Sequence, residues 1–267
     1  MILSSFPTRY HLKIHLLRHS TLIITFAGLN ILVDPMLGAA RTSGPITNTP
    51  NPRRNPLVEL PFDEDTLIEH LKSLDSVIVT HTHNDHWDAR ARDLVSKSLP
   101  IFCQPEDHLK IQEAGFQATQ PVVDNYNWDP VQIARTEGQH GRGNIGKLMA
   151  PVSGFILKAD KEPIVYIAGD TLWCAEVQQA IDQHNPDVII VNAGAAQFTS
   201  GGPITMTSDD VIAVSNAIPE AIVVAVHMEA INHCLLTREE LLQAVKIAGI
   251  GSQLRVPKDG EQIMITI

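Results

Sequence analysis

The segment Val77-Ile-Val-Thr-His-Thr-His-Asn-Asp-His-Trp-Asp88 runs a short, β-branched apolar stretch straight into His81, His83, Asp85 and His86. Residues 76–80 read as a buried strand, so the polar groups begin where a rigid element ends. Neutral imidazole and ionised carboxylate are the ligand types that suit Zn²⁺ and neighbouring transition metals. In extended backbone the alternate residues His81 and His83 face one way and can converge on one cation. Asp85 and His86, at a helix start, can address a second.

Upstream, Leu12, Ile14 and Leu16 alternate with His11, Lys13 and His15, the period of a half-buried strand from Tyr10 to Leu16. His11 and His15 then read as solvated strand residues. Residues 21–26 and 31–33 flank Gly28 and Asn30 as a hairpin that Asp34 and Pro35 end. His19 and Ser20, just before that hairpin, are candidates for a hydrogen bond to a metal ligand. The stretch from Pro35 to Pro61, punctuated by Pro45, Pro50, Pro52 and Pro56, predicts a long loop of the kind that serves as a lid or binding segment. Asp63 and Glu64 open a helix carrying Leu67, Ile68, Leu71 and Leu74.

Downstream, strands are predicted over 100–103, 131–136, 154–157, 164–168, 188–191 and 221–226, and helices over 106–114, 173–184, 209–217 and 238–248. This interleaving implies an α/β layered architecture. No linker or composition break divides the chain, so a single domain over 1–267 is expected. His70, His108 and His184 fall on polar helix faces and are given no role. Three further metal-type side chains follow apolar runs: His140 in EGQHGRG (137–143), Asp170 in VYIAGDT (165–171) and His227 in VVAVHME (223–229).

The H-x-H-x-D-H segment followed by His140, Asp170 and His227, in that order, resembles the metallo-β-lactamase superfamily. That resemblance implies a four-layer αββα sandwich holding two divalent cations, zinc first, with manganese or iron tolerated by the same ligands. His81, His83 and His140 would hold one cation, Asp85, His86 and His227 the other, and Asp170 would bridge. A cation pair about 3.5–4 Å apart can carry a bridging hydroxide, because coordination brings the pKa of water down to about 7. Asp85 and Asp170 thereby become catalytic candidates.

Within the superfamily the chain resembles the branch of L-ascorbate-6-phosphate lactonases and N-acyl-phosphatidylethanolamine-hydrolysing phospholipases D, through residues 18–37, 44–61 and the metal segment. The implied activity is hydrolysis of a lactone, ester or phosphodiester. Thr82 and Asn84 depart from that branch and leave the ligands intact. The last motif runs on as HMEAINHCLLTR (227–238), which adds Glu229 and His233 as polar candidates, His233 as a proton donor. Substrate choice is expected in the Pro35–Pro61 loop and in residues 197–207, with Arg41, Arg53 and Arg54 as candidates to neutralise a phosphate or carboxylate; their bland equivalent is a solvated loop.

The formal charge of −10 disfavours nucleic acid as a partner and points to a small-molecule substrate, phosphorylated or otherwise anionic if the arginines reach it. Cys103, Cys174 and Cys234 are odd in number and irregular in spacing, which fits a reducing compartment. With no signal-peptide core and no membrane-length apolar run, the protein is expected to be cytoplasmic. Zinc β-lactamase, transfer-RNA processing and di-iron oxygen chemistry fit less well, the last because a carboxylate would be expected where His83 stands. No G-x-G-x-x-G, Walker or G-x-S-x-G motif offers another chemistry. The alternative from a different class is a non-catalytic metal- or ligand-sensing module on the same fold.

Overall fold

The computed structural model describes residues 11–149 and 151–266. In the first sheet lie β1 (His11–Arg18), β2 (Thr21–Phe26), β3 (Leu29–Val33), β4 (Ser76–Val79), β5 (Ile101–Cys103) and β6 (Thr119–Pro121). The second sheet takes β7 (Asn125–Trp128), β8 (Val131–Glu137), β9 (Ser153–Lys158), β10 (Val165–Ile167), β11 (Val188–Asn192), β12 (Ile222–Val226) and β13 (Leu254–Arg255). The last strand, β14 (Gln262–Thr266), returns to the first sheet beside β1, giving the orders β14-β1-β2-β3-β4-β5-β6 and β13-β12-β11-β10-β9-β8-β7. In each sheet one half is antiparallel and the other parallel, with the parallel half running β3 to β6 in the first and β10 to β13 in the second.

Helices α1 (Glu64–Lys72), α2 (Ala89–Leu94) and α3 (His108–Glu113) belong to the first half, α4 (Gly143–Met149) sits between β8 and β9, and α5 (Ala175–His184), α6 (Ser208–Ala217) and α7 (Arg238–Ala248) belong to the second half. Strand parity explains the layers. On β11, Val188 and Ile190 point into a core shared with the first sheet, whereas Ile189 and Val191 pack towards α5, α6 and α7. On β4, Ile78 enters the shared core while Val77 and Val79 face α1, α2 and α3. Three apolar seams therefore separate four layers, helix, sheet, sheet, helix, with near-continuous apolar strands because both faces of each sheet are covered.

Several helix starts follow from side-chain caps. Asp63 accepts from Thr66 N, and Thr207 and Thr237 form capping boxes with Asp210 and Glu240. No helix among the described residues is long and apolar enough to cross a membrane.

Two expectations are corrected. His15 is not solvated: it is buried, its ring 5.0 Å from His70 in an edge-on contact and 6.4 Å from Phe62. The helix expected over 106–114 begins instead as a 3-10 turn over Pro105–Asp107, with Pro105 at its start. Tyr10 and the side chain of His11 lie outside the described residues.

Candidate metal centre

The carboxyl ends of the parallel strands from both sheets open on the same edge, and the candidate donors sit there. After β4 the chain enters a turn in which His86 N and Trp87 N both donate to His83 O. Trp87 is fully buried against Phe116, ring centroids 5.2 Å apart, and pins that turn to the seam beneath the helices. His140 follows β8, Asp170 follows β10 and His227 follows β12. Rigid strand ends on two packed sheets thus aim side chains at one point, and the Gly169 backbone (φ 69) makes the last step before Asp170, where a Cβ would lie 2.6 Å from Ser153 O.

All seven sequence-predicted residues come together. Asp170 Oδ2 lies 3.2 Å from His86 Nε2, 3.5 Å from His140 Nε2 and 3.9 Å from His81 Nε2, and its Oδ1 lies 3.4 Å from His227 Nε2. Asp85 Oδ2 is 3.7 Å from His86 Nε2 and 3.6 Å from His227 Nε2. His81 Nε2 and His83 Nδ1 are 2.9 Å apart. Donor atoms of His81, His83 and His140 lie within 4.8 Å of one another, as do those of His81, His86 and Asp170 and those of His19, Asp85, His86 and His227.

The rings are oriented from behind. His81 Nδ1 is 3.0 Å from Thr80 Oγ1, His86 Nδ1 is 2.8 Å from Asp34 Oδ2 and 3.3 Å from Ser20 Oγ, and His140 Nδ1 is 2.8 Å from Ile204 O. His227 Nδ1 stands 3.6 Å from Cys234 Sγ. With Nδ1 occupied in each case, Nε2 faces the centre. Asn192 donates to Asp170 Oδ1 at 2.6 Å and fixes its carboxylate.

This geometry fits cations. His227 Nε2 is fully buried yet has no hydrogen-bond partner, which is costly unless something in the site engages it. Burial holds the His81 and His83 rings below the usual imidazole range and His140 at about 4, so what they would offer a cation at ordinary pH is a neutral ring. Burial opposes charge on Asp85 and Asp170, but the surrounding histidines keep both carboxyls well below the usual range. Against the same burial, Asp170, Asp85 and Asp34 raise His86, and Asp170, Cys234 and Asp85 raise His227 to about 10.

A cavity of about 520 Å³ opens over the cluster. His83, Asp85, His140 and Asp170 form part of its floor, and Met36, Ile46, Phe198, Ile231 and Met149 supply apolar wall. His233 lines it with Nδ1 buried and unpartnered. The Pro35–Pro61 loop contributes Ser43 to Thr47, Asn55 and Pro56, so it does border the site. Its arginines do not. Arg54 donates to Arg41 O and Thr42 O, Arg53 to Asn51 Oδ1, and among the described residues no lysine or arginine lines the cavity. Glu229 turns to an ion pair with Arg238. Sequence reasoning missed Asp34, Asn192 and the contact of Cys234 with His227. Asp34 followed by Pro35 carried only a strand-end signal, and nothing in the sequence marked the other two.

Comparison with known proteins agrees with the fold. Residues 29–228 match the Beta-lactamase superfamily domain. The UPF0173 protein YddR of Bacillus subtilis is 36% identical over 92% of this chain and 96% of its own length, and a UPF0173 metal-dependent hydrolase of Ignicoccus hospitalis is 26% identical over 92% and 94%. A solved isothiocyanate hydrolase from Delia radicum gut bacteria superposes with a TM-score of 0.89 at 35% identity, covering 96% of this chain and all of that one. The chain belongs to the beta-lactamase superfamily, within its UPF0173 metal-dependent hydrolases.

Proposed function

We propose that this hydrolase acts through a two-cation centre on a small, uncharged, largely apolar electrophile, with isothiocyanates as the first substrate class. The observation that carries the reading is the cavity: its floor is the histidine and aspartate cluster, Met36, Ile46, Met149, Phe198 and Ile231 give it an apolar wall, and among the described residues no lysine or arginine lines it. The isothiocyanate hydrolase noted above, alike over the whole chain, supports the same class. Lactones and esters share the electrophilic carbon and the lack of charge, so they are the comparison substrates; a phosphodiester would find neither Arg41, Arg53 nor Arg54 within the cavity.

In the proposed centre His81, His83 and His140 would hold one cation and Asp85, His86 and His227 the other, with Asp170 between the two sets. Bound there, divalent cations, zinc first, would polarise the electrophile and lower the pKa of water to about 7. The residues do the rest. Asp85 and Asp170, held ionised, are weak bases, so their part is to orient the incoming water by accepting its hydrogen bonds. Asn192 keeps Asp170 in the orientation this needs. His233, raised above its usual range against its burial by Cys234, retains a proton at the cavity wall and gives it to the departing nitrogen or oxygen. For an isothiocyanate, water adds its oxygen to the central carbon and its protons reach nitrogen. The C–N bond then breaks to give a primary amine and carbonyl sulfide.

The test is a panel of an aryl-alkyl isothiocyanate, a γ-lactone, a p-nitrophenyl ester and a bis-p-nitrophenyl phosphodiester, with metal restored. Amine release from the isothiocyanate, exceeding turnover of the phosphodiester, is the expected result. Phosphodiester turnover alone would overturn the substrate class, and silence across the panel with intact metal binding would favour the sensing module.

A further inference from the structure

We infer that His19 is a fourth protein ligand of the cation held by Asp85, His86 and His227, which makes the two cation positions unequal: one closed by protein, the other open to the cavity. The inference rests on the two-cation reading above and adds a residue to it.

His19 lies between β1 and β2, far in sequence from every other donor, and is fully buried. Its backbone is in the left-handed region (φ 63), and its carbonyl accepts from His227 N at 2.8 Å, so the turn is tied to the loop it serves. Its ring lies against that of His227, tilted by 38°, with centroids 3.7 Å apart. Nε2 faces Asp85 Oδ2 at 3.4 Å, long for a charge-assisted hydrogen bond, which runs about 2.7–2.9 Å. It is the right length for something else. Two donors on one tetrahedral zinc, with bonds of about 2.0–2.1 Å, stand about 3.3 Å apart. The separations of Asp85 Oδ2 from His19, His86 and His227, at 3.4, 3.7 and 3.6 Å, all lie near that edge.

The donors then divide. His19, Asp85, His86 and His227 lie within 4.8 Å of one another and complete a four-ligand shell before Asp170 is counted, the composition of a closed site. His81, His83 and His140 supply three donors before Asp170 is counted, one fewer than the other set, so this is the position with room for water or substrate. The cavity agrees: His83 and His140 line it, whereas His19, His86 and His227 lie beneath its floor, and of the four-donor set only Asp85 reaches it. A cation at His81, His83 and His140 would therefore be the one that meets substrate.

Zinc binding to the full chain separates the outcomes, using H19N, which tolerates a positive φ, and H19G, which removes the backbone strain and leaves an imidazole-sized hole. Elemental analysis and competition with a chromophoric chelator report stoichiometry and affinity. Wild type should bind two equivalents. Both variants should keep one at wild-type affinity and bind the second at least tenfold more weakly, and added imidazole should restore the second equivalent to H19G. Two equivalents at unchanged affinity in H19N, equal loss of both in either variant, or no rescue by imidazole would overturn the assignment of His19. Fewer than two equivalents in wild type would instead remove the two-cation reading and this inference with it.

Discussion

Asp34 stands 46 residues before Thr80 and 52 before His86 in sequence, yet its carboxylate accepts from Thr80 N at 2.8 Å and Thr80 Oγ1 at 2.7 Å and meets His86 Nδ1 at 2.8 Å. It therefore sets the ring of one proposed ligand and the exit of β4 together. Its φ of 44 is a conformation that Asn tolerates as well as Asp does, so Asp34→Asn removes the charge without a backbone penalty. Zinc affinity in that variant should fall about 10–100-fold, measured by chelator competition; an unchanged affinity would show that His86 needs no carboxylate behind it. The charges make a second prediction. In the metal-free protein His227 holds its proton up to about pH 10, and ligation requires the neutral ring. Zinc binding at pH 7 should therefore expel protons, with a calorimetric heat that scales with the buffer's ionisation enthalpy, and the release should shrink as pH rises towards 10. A buffer-independent heat at pH 7 would contradict it.

Among the elements, those with a strong period were legible before any coordinates: β4 into its histidines, the β2–β3 hairpin, and α5, α6 and α7 to within two residues. The three-residue β5 and β10 were legible too, as apolar runs, whereas polar or weakly periodic elements were not. Helix α4 buries none of its residues and β14 alternates only weakly, so neither shows an apolar period, while α2 covers six residues and declares itself mainly through Asp88, whose side chain accepts from Ala91 N. The Pro35–Pro61 loop was recognised, but not what holds it. Asn232, fully buried, donates to Ile46 O and Thr49 Oγ1 and accepts from Asn55 Nδ2 and Ile46 N, tying the loop to the segment that carries His233. Replacing Asn232 by Ala should strand those partners, cost about 1–3 kcal/mol in denaturant unfolding, and raise KM more than it lowers kcat. A kcat loss at constant KM would mean that the loop shapes the reacting atoms rather than the cavity.

At the scale of the molecule, the site depends on two sheets facing one another. His81 to His86 belong to the first sheet, His140, Asp170 and His227 to the second, and the seam of Ile78, Phe155, Ile190 and Val226 sets the distance between them. The convergence was expected from motif order, whereas its depth was not, because side-chain separations across a core are not written in local sequence. Cations bound between the sheets would act as a clamp on the folded state alone. Zinc held at 1,000 times its Kd should then add about 4 kcal/mol, and chelation should lower Tm with no change in far-ultraviolet circular dichroism below the transition. A Tm indifferent to chelator would deny the clamp. The central claim is that the seven side chains surround a cation pair, and anomalous diffraction from a zinc-loaded crystal tests it most directly. We expect two peaks about 3.5–4 Å apart, one against His81, His83 and His140 and one against Asp85, His86 and His227, with Asp170 touching both. A single peak, or density away from this strand edge, would contradict it.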